Sequence, residues 1–287
     1  MSATPILPAP KLPAHAGRGA APCSESAACR LFVGLHQPSD AQHFDAAFVS
    51  VNRLRKRKSD FKVGDWIMDS GAFTEIANYG HYREIPLAYV AQIERWRKCG
   101  NMLAAVSQDY MCEPWILEKT GMNIPEHQRL TISRYDAIQS NTTMYIMPVL
   151  QGYAPADYVR HLQMYGRRIK KGMWVGVGSV CKRNGDPGAI YDVLSAIKAV
   201  RPDLRLHGFG LKTTALADGG VFDLLHTADS MAWSFAARKQ GRNGNDYREA
   251  KRFESRIGRQ ERQGRLSFFP QNDQVLPLAG ADERKLK

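Results

Sequence analysis

The sequence predicts a (β/α)8 barrel, an α/β fold in which eight parallel strands close into a cylinder surrounded by helices. From Leu31 onward, short apolar segments alternate with longer amphipathic segments, which is the pattern of repeated βα units. The short segments number eight, as a closed parallel barrel requires. A flavodoxin-like open sheet also alternates strands and helices but stops at five or six strands, so the count favours the barrel.

The eight predicted strands are the short apolar segments, each followed by a polar or glycine-containing turn. In chain order they are Leu31–Leu35, Phe48–Val51, Asp65–Met68, Met102–Ser107, Met144–Leu150, Met173–Val177, Arg205–Phe209 and Asp223–Ala228. Two of the intervening helices have recognisable ends. One covers Pro86–Cys99 and stops at Gly100, a suitable C-terminal cap. The other begins at the N-cap pair Asp186-Pro187 and ends before Pro202.

The 287-residue chain divides into three predicted segments. Residues 1–29, rich in Pro, Ala, Gly and Ser, are expected to form a flexible arm, residues 30–240 the barrel, and residues 241–287 a basic helical extension and tail. No apolar run approaches the roughly 20 residues of a membrane helix, and no signal peptide is evident, so we expect a cytoplasmic protein. The five scattered cysteines, without a CxxC pair, predict reduced thiols.

Basic residues exceed acidic ones by 40 to 28, a net charge of +12 that favours nucleic acid as partner, although charge alone suits a solvated basic surface equally well. The charge is concentrated in Arg53–Lys58 and in Arg238–Arg265, which has ten basic residues and four acidic ones. For the latter, a solvated helix with a few ion pairs is the alternative. The residues expected to contact nucleic acid are Arg55, Lys56, Arg57, Lys58, Arg238, Lys239, Arg242, Arg248, Lys251 and Arg252.

Polar residues directly follow the predicted strands, at the barrel end where such enzymes have their active sites. These turns are Asp69–Phe73, Ser107–Asp109, Gln151–Tyr153, Gly176–Ser179, Gly208–Gly210 and Asp229–Met231. Three acids, one amide and several glycines would thus face one cavity, which suits a planar heterocycle that forms hydrogen bonds. Phe73 or Tyr110 could stack on its ring.

Several of these residues also have simpler interpretations when each is taken alone. Asp69 could cap a turn, and Asp229 could be the N-cap of the following helix. His36, His207 and His226 are interpreted as polar residues with satisfied hydrogen bonds rather than as ligands. The occurrence of all the acids at successive strand ends favours the functional interpretation.

The ordered motifs resemble those of the tRNA-guanine transglycosylases. Asp69–Phe73 (Asp-Ser-Gly-Ala-Phe) resembles their Asp-Ser-Gly-Gly-Phe segment, and Val149–Gly152 resembles their Val-Gln-Gly segment. The Gly176–Gly178 and His207–Gly210 turns, followed by Asp229, are similar in kind and in order. The resemblance covers about residues 64 to 238, most of the predicted barrel.

This resemblance implies a role for each matched residue. Asp229 would be the nucleophile and Asp69 the general acid/base, while Asp109 and Gln151 would bind the guanine edge and Phe73 would stack on it. The residues implied to make further contacts with the base are Ser70, Gly178, Ser179 and Gly210.

The sequence departs from the tRNA enzymes after Asp229. Those enzymes have a Cys-x-Cys-x-x-Cys cluster and a later His that bind zinc, whereas here neither Cys nor His follows Asp229, so we expect no metal and no cofactor. The missing zinc module and the short chain resemble the branch, known from bacteriophages and bacterial DNA-modification systems, that places 7-deazaguanines in DNA.

The sequence thus predicts a DNA-guanine transglycosylase that exchanges guanine for a preQ0- or preQ1-like base, with DNA and the free 7-deazaguanine as partners. The alternatives are a zinc-free tRNA-guanine transglycosylase, a nucleic-acid glycosylase, and a non-catalytic nucleic-acid-binding barrel. The sequence does not determine the oligomeric state, and a homodimer is one of the possible states.

Overall fold

The computed structural model describes residues 29–183 and 185–267. The arm predicted over residues 1–29 lies outside this part of the chain except for Cys29, and so does the tail beyond residue 267. The strands form one sheet in the order β5-β4-β3-β2-β1-β9-β8-β7-β6, and the paired neighbours are parallel. They are β1 (Arg30–Gly34), β2 (Ala46–Ser50), β3 (Asp65–Asp69), β4 (Asn101–Val106), β5 (Ile146–Met147), β6 (Val149–Leu150), β7 (Trp174–Val177), β8 (Arg205–Gly208) and β9 (Thr227–Ser230).

The two strands at the ends of this order close the barrel. β5 pairs with β4 and β6 pairs with β7, yet only Pro148 separates β5 from β6 in the chain. Proline has no N–H to donate to a ladder, which explains the interruption, while the Pro148 carbonyl still accepts a hydrogen bond from Gly176 N at 2.9 Å. The predicted strand Met144–Leu150 therefore exists in two parts, and the predicted (β/α)8 barrel is confirmed.

Helices surround the barrel and follow the strands in the order expected of βα units. Within the described residues they are α1 (Val51–Leu54), α2 (Ala72–Tyr79), α3 (Pro86–Trp96), α4 (Pro114–Thr120), α5 (Ile124–Gln139), α6 (Pro155–Tyr165), α7 (Pro187–Val200), α8 (Thr213–Leu216), α9 (Gly219–Leu224), α10 (Ala232–Lys239) and α11 (Tyr247–Ser267). Asp186 caps α7 as predicted, accepting from Ala189 N at 3.1 Å. α3 ends three residues earlier than predicted. None of these helices is long and apolar enough to cross a membrane.

The strands alternate their side chains between two cores. Phe32 and Phe48 point into the barrel, whereas their neighbours Val33 and Val49 pack between the barrel and the helices. The residues that fill the barrel interior are Phe32, Ala46, Phe48, Ile67, Ala104, Val106, Met147, Val149 and Trp174. This filled interior leaves the carboxyl ends of the strands as the floor of a surface cavity.

The last predicted strand, Asp223–Ala228, was misplaced. Its first two residues belong to α9, which begins because Asp218 accepts a hydrogen bond from Val221 N at 3.0 Å. β9 starts only at Thr227, so Asp229 lies within the strand beside Phe32 of β1. Asp229 is therefore not the N-cap of α10. The N-cap residue of this helix is Met231. The other predicted strand ends agree with the structure to within two residues.

Candidate active site

A cavity of about 740 Å³ opens at the carboxyl ends of the strands. Of the nine catalytic and base-binding residues implied by the sequence, eight line it: Asp69, Phe73, Asp109, Gln151, Gly178, Ser179, Gly210 and Asp229. The ninth, Ser70, is fully buried and does not line the cavity, so the geometry gives no support to a contact with substrate. Among the described residues, no group of three or more His, Cys, Asp and Glu side chains is arranged to hold a metal ion.

Asp69 is the last residue of β3 and, with Asp229, one of the two carboxylates on one side of this cavity. The Gly71 N–H donates to its Oδ2 at 3.1 Å, and Gly71 has a φ of 74°, which glycine adopts without strain. Burial raises the pKa of Asp69 to about 6; the nearby negative charge of Asp229 adds to this, while a hydrogen bond with Ser50 opposes it. Asp69 can therefore both hold and release a proton near neutral pH.

Asp229 is held in place by hydrogen bonds to its Oδ1 atom. Gly210 N donates to Oδ1 at 3.0 Å, and His207 Nε2 lies 3.2 Å from it. Trp174 Nε1 donates to Thr227 Oγ1 at 2.7 Å, and we assign the Thr227 hydroxyl hydrogen to His207 Nδ1, 2.8 Å away, because this leaves the ring N–H for the carboxylate acceptor at Nε2. The His207 N–H is then on Nε2 and donates to Asp229.

His207 was interpreted from sequence as a polar residue with satisfied hydrogen bonds. Both ring nitrogens do have partners, but one of those partners is the carboxylate of Asp229. The sequence contained a signal for its orientation, because His207 lies two residues before Phe209 in the predicted strand Arg205–Phe209 and so shares its alternation into the barrel. We classify His207 as a positioning residue.

A hydrogen-bonded network lies on the other side of the cavity. Gln151 Nε2 donates to Asp109 Oδ2, and Gln151 Oε1 accepts from Ser179 Oγ at 2.7 Å. Ser179 Oγ also accepts from Cys112 N at 3.0 Å, and Ser179 has a φ of 54°, an unfavourable conformation that is typical of functional sites. A Cβ on Gly178 would lie 2.1 Å from Gln151 Nε2, so only glycine leaves room for this amide. These contacts hold Asp109 and Gln151 in place. One carboxylate oxygen of Asp109 and one amide hydrogen of Gln151 are not used in the hydrogen bond between the two side chains.

Glu113 was not among the residues predicted from sequence, yet it lines the same cavity. Its side chain is 3% exposed, Oε2 is 3.0 Å from Ser179 Oγ, and Oε1 has no hydrogen-bond partner among the described residues. It is the N-cap of α4, which follows the long loop after β4. No local pattern around Glu113 predicts this position, because only the path of the loop returns residue 113 to the cavity.

Of the two residues expected to stack on a base, Phe73 lines the cavity and Tyr110 does not. Phe73 is 49% exposed, and its ring meets Trp115 edge-on with centroids 6.2 Å apart. Tyr110 is buried and packs against Tyr82 and His127. Stacking by Phe73 remains a prediction.

Many of the basic residues expected to contact nucleic acid have acidic partners within the chain. Arg242 and Arg252 both pair with Glu249, and Lys251 pairs with Glu254. The remaining pairs are Arg55 with Glu84 and Arg248 with Asp246. Arg57 donates to the backbone oxygens of Ser59 and Asp60. The alternative interpretation, a helix with ion pairs, therefore describes the start of α11 better than a free basic patch.

The fold and the cavity define a tRNA-guanine transglycosylase-like barrel, with two carboxylates on one side and an acid–amide network on the other. The sequence model of the family DpdA, "DeoxyPurine in DNA protein A", matches residues 28–251, more than three quarters of the chain. The chain belongs to this family, a transglycosylase-like family involved in 7-deazaguanine modification of DNA. No curated protein matches the sequence.

The buried Asp109 should make the protein less stable as the pH rises. Burial raises its pKa to about 7. The negative charges of Asp69 and Glu113 also raise this pKa, while the hydrogen bond from Gln151 lowers it. A raised carboxyl pKa in the folded state means that the folded protein binds the extra proton, so stability falls between about pH 4 and pH 7 and stays lower above it.

We therefore expect Asp109→Asn to have a higher free energy of unfolding than the wild type at pH 8, by roughly 1–3 kcal/mol in urea denaturation. This gain in stability should shrink as the pH falls from 7 towards 4. The exposed Asp192 of α7 offers a control, and Asp192→Asn should show no such gain. Equal stability of Asp109→Asn and wild type at both pH values would contradict the assigned electrostatics.

Proposed function

We propose that this chain replaces guanine in DNA by a 7-deazaguanine base through a covalent intermediate on Asp229. The observation that carries the proposal is that Asp69 and Asp229 face one cavity and interact, with burial and the Asp229 charge raising the pKa of Asp69 to about 6. Two carboxylates in such unequal environments suit a double displacement, in which one attacks as an anion and the other transfers a proton. Membership of the DpdA family supports DNA as the nucleic acid.

In the first displacement, Asp229 attacks C1′ of the target nucleotide. The hydrogen bonds to its carboxylate described above are on Oδ1, so Oδ2 is assigned as the attacking atom. As the C1′–Oδ2 bond forms, the C1′–N9 bond breaks and its electron pair goes to N9 of guanine. Protonated Asp69 gives its proton to N9, and neutral guanine leaves.

In the second displacement, the incoming 7-deazaguanine takes the place of guanine. The carboxylate of Asp69 removes the proton from N9 of this base, N9 attacks C1′, and Asp229 departs with the electron pair of the C1′–O bond. Asp69 is protonated again at the end of the cycle. Two inversions at C1′ retain the original configuration of the nucleoside.

The acid–amide network is proposed to bind the edge that guanine and 7-deazaguanine share. The carboxylate oxygen of Asp109 that is not bonded to Gln151 accepts from the base N–H groups, and the second amide hydrogen of Gln151 donates to the base carbonyl. Phe73 stacks on the ring from the rim of the cavity. Because the cavity lies on the protein surface, the target base must leave the DNA stack to reach it.

Incubation of the protein with radiolabelled guanine and either duplex DNA or tRNA tests this function. We expect label in DNA, displaced again by excess unlabelled 7-deazaguanine. Label that enters only tRNA would identify a zinc-free tRNA enzyme instead. Release of guanine without any incorporation would identify a glycosylase, and DNA binding with neither reaction would identify a binding protein.

A further inference from the structure

Two arginine side chains approach one histidine ring at the rim of the cavity. Arg53 Nη2 is 3.2 Å from Nδ1 of His36, and Arg238 Nη2 is 3.2 Å from Nε2 of the same ring. His36 follows β1, Arg53 is in α1 after β2, and Arg238 is in α10 after β9. Since β2, β1 and β9 are neighbours in the sheet, all three residues lie at its carboxyl edge, and His36 and Arg53 line the cavity.

The hydrogen bonds of His36 leave Arg238 without an acceptor on this ring. Ser234 Oγ donates to Gly244 O at 2.7 Å, so its contact with His36 Nε2 at 2.8 Å is assigned as the ring N–H donating to Ser234 Oγ. Nε2 then has no lone pair to offer Arg238, while Nδ1 accepts from Arg53. Burial, Arg53 and Arg238, in that order, lower the pKa of His36, which keeps the ring neutral at pH 7.

Neither arginine is neutralised by a carboxylate in the part of the chain that the structure describes. Among the described residues, neither Arg53 nor Arg238 has an ion-pair partner, in contrast to Arg55 and Arg242. The side chain of Arg238 passes close to Gly244, where a Cβ would lie 2.6 Å from Arg238 Nε, so glycine leaves room for this course. Both guanidinium groups are exposed and repel each other across a neutral ring, so an anion that contacts both would relieve the repulsion and accept their remaining N–H groups.

We propose that Arg53 and Arg238 form a phosphate clamp for a backbone phosphate of the target strand, next to the extruded nucleotide. The inference rests on the proposed function for its ligand, because a nucleotide whose C1′ reaches Asp229 inside the cavity has its phosphates at the rim. A phosphodiester carries one negative charge and two free oxygens, which fit two guanidinium forks. The clamp takes one arginine from each of the two predicted basic segments, and these two differ from the cations described above, which have partners within the chain.

The test measures binding of a short fluorescent duplex containing one target guanine, by anisotropy at several KCl concentrations and without free base. We expect Arg53→Met and Arg238→Met each to raise Kd about 3- to 10-fold at moderate salt and to reduce the slope of log Kd against log salt by about 1. Arg167→Met is the matched control, because Arg167 is exposed at the amino end of β7, away from the cavity, and has no described partner. Equal effects of all three substitutions would overturn the clamp.

Neutral methylphosphonate linkages identify the phosphate. Introduced one at a time around the target guanine, one linkage should weaken binding to the wild type and have no effect on the Arg53→Met/Arg238→Met double variant. If every linkage weakens both proteins equally, the clamp is wrong even when base exchange is observed. If the coupling is found but no base exchange occurs, the clamp stands and the proposed function fails.

Discussion

Asp229→Asn is expected to abolish base exchange while DNA binding stays within about twofold of the wild type. The amide has nearly the same size, and its oxygen can still accept from Gly210 N and His207, so the cavity keeps its shape. An amide cannot form the ester to C1′, and we expect loss of the nucleophile to lower kcat by at least about 10⁴-fold, as it does in enzymes with a covalent nucleophile. Incorporation of labelled base in a single turnover, together with anisotropy for binding, measures both quantities.

The exposed Asp192 again offers the control, and Asp192→Asn should exchange bases at the wild-type rate. Exchange by Asp229→Asn within tenfold of the wild type would remove Asp229 from the chemistry. Loss of exchange together with loss of DNA binding would show that the residue supports the fold or the interface instead. Circular dichroism and thermal unfolding of the variant separate those two outcomes.

Asp69→Asn is expected to slow exchange by about 10²- to 10⁴-fold, the usual contribution of a positioned acid or base. Its signature is the pH dependence of the first displacement. Guanine leaves only when Asp69 is protonated, so with a pKa of about 6 the rate constant for guanine release in the wild type should fall about tenfold per pH unit above that value.

The second displacement should show the opposite trend, because the incoming base gives its proton to the Asp69 carboxylate. Its rate constant should rise with pH and level off below the pKa of about 6, because Asp229 loses its charge in the ester and no longer raises the pKa of Asp69. Both trends should vanish in Asp69→Asn, which has no titrating group at this position. A wild-type profile of unchanged shape in the variant would assign the proton transfer to another residue. Rapid-quench measurements of guanine release and of base incorporation follow the two steps separately.

The sequence was sufficient to predict the barrel, because each strand is short and apolar and its polar turn marks the carboxyl end. Asp69 was predicted from a five-residue local match. Asp229 was predicted from motif order. It does line the cavity, although the strand that contains it was predicted in the wrong place. The error arose at Asp218, whose capping hydrogen bond turns an apolar segment into α9.

Other parts of the site depend on contacts between distant segments, which no local pattern encodes. The ring of His207 in β8 contacts Asp229 in the neighbouring strand β9. Glu113 reaches the cavity only through the path of the loop after β4. Charge counting does not reveal ion pairs, and Glu249 pairs with two of the arginines expected to contact nucleic acid. Arg53, left out of the predicted contacts, is instead at the rim beside Arg238 and lacks an acidic partner within the described chain.

The covalent intermediate gives the most direct test of the proposed reaction. The protein would be mixed with duplex DNA in the absence of free base, denatured in acid, digested, and its peptides analysed by mass spectrometry. The proposal predicts a DNA strand linked through deoxyribose to the peptide that contains Asp229, with one guanine released per adduct. An adduct on Asp69, or base exchange that proceeds without any protein–DNA adduct, would contradict it.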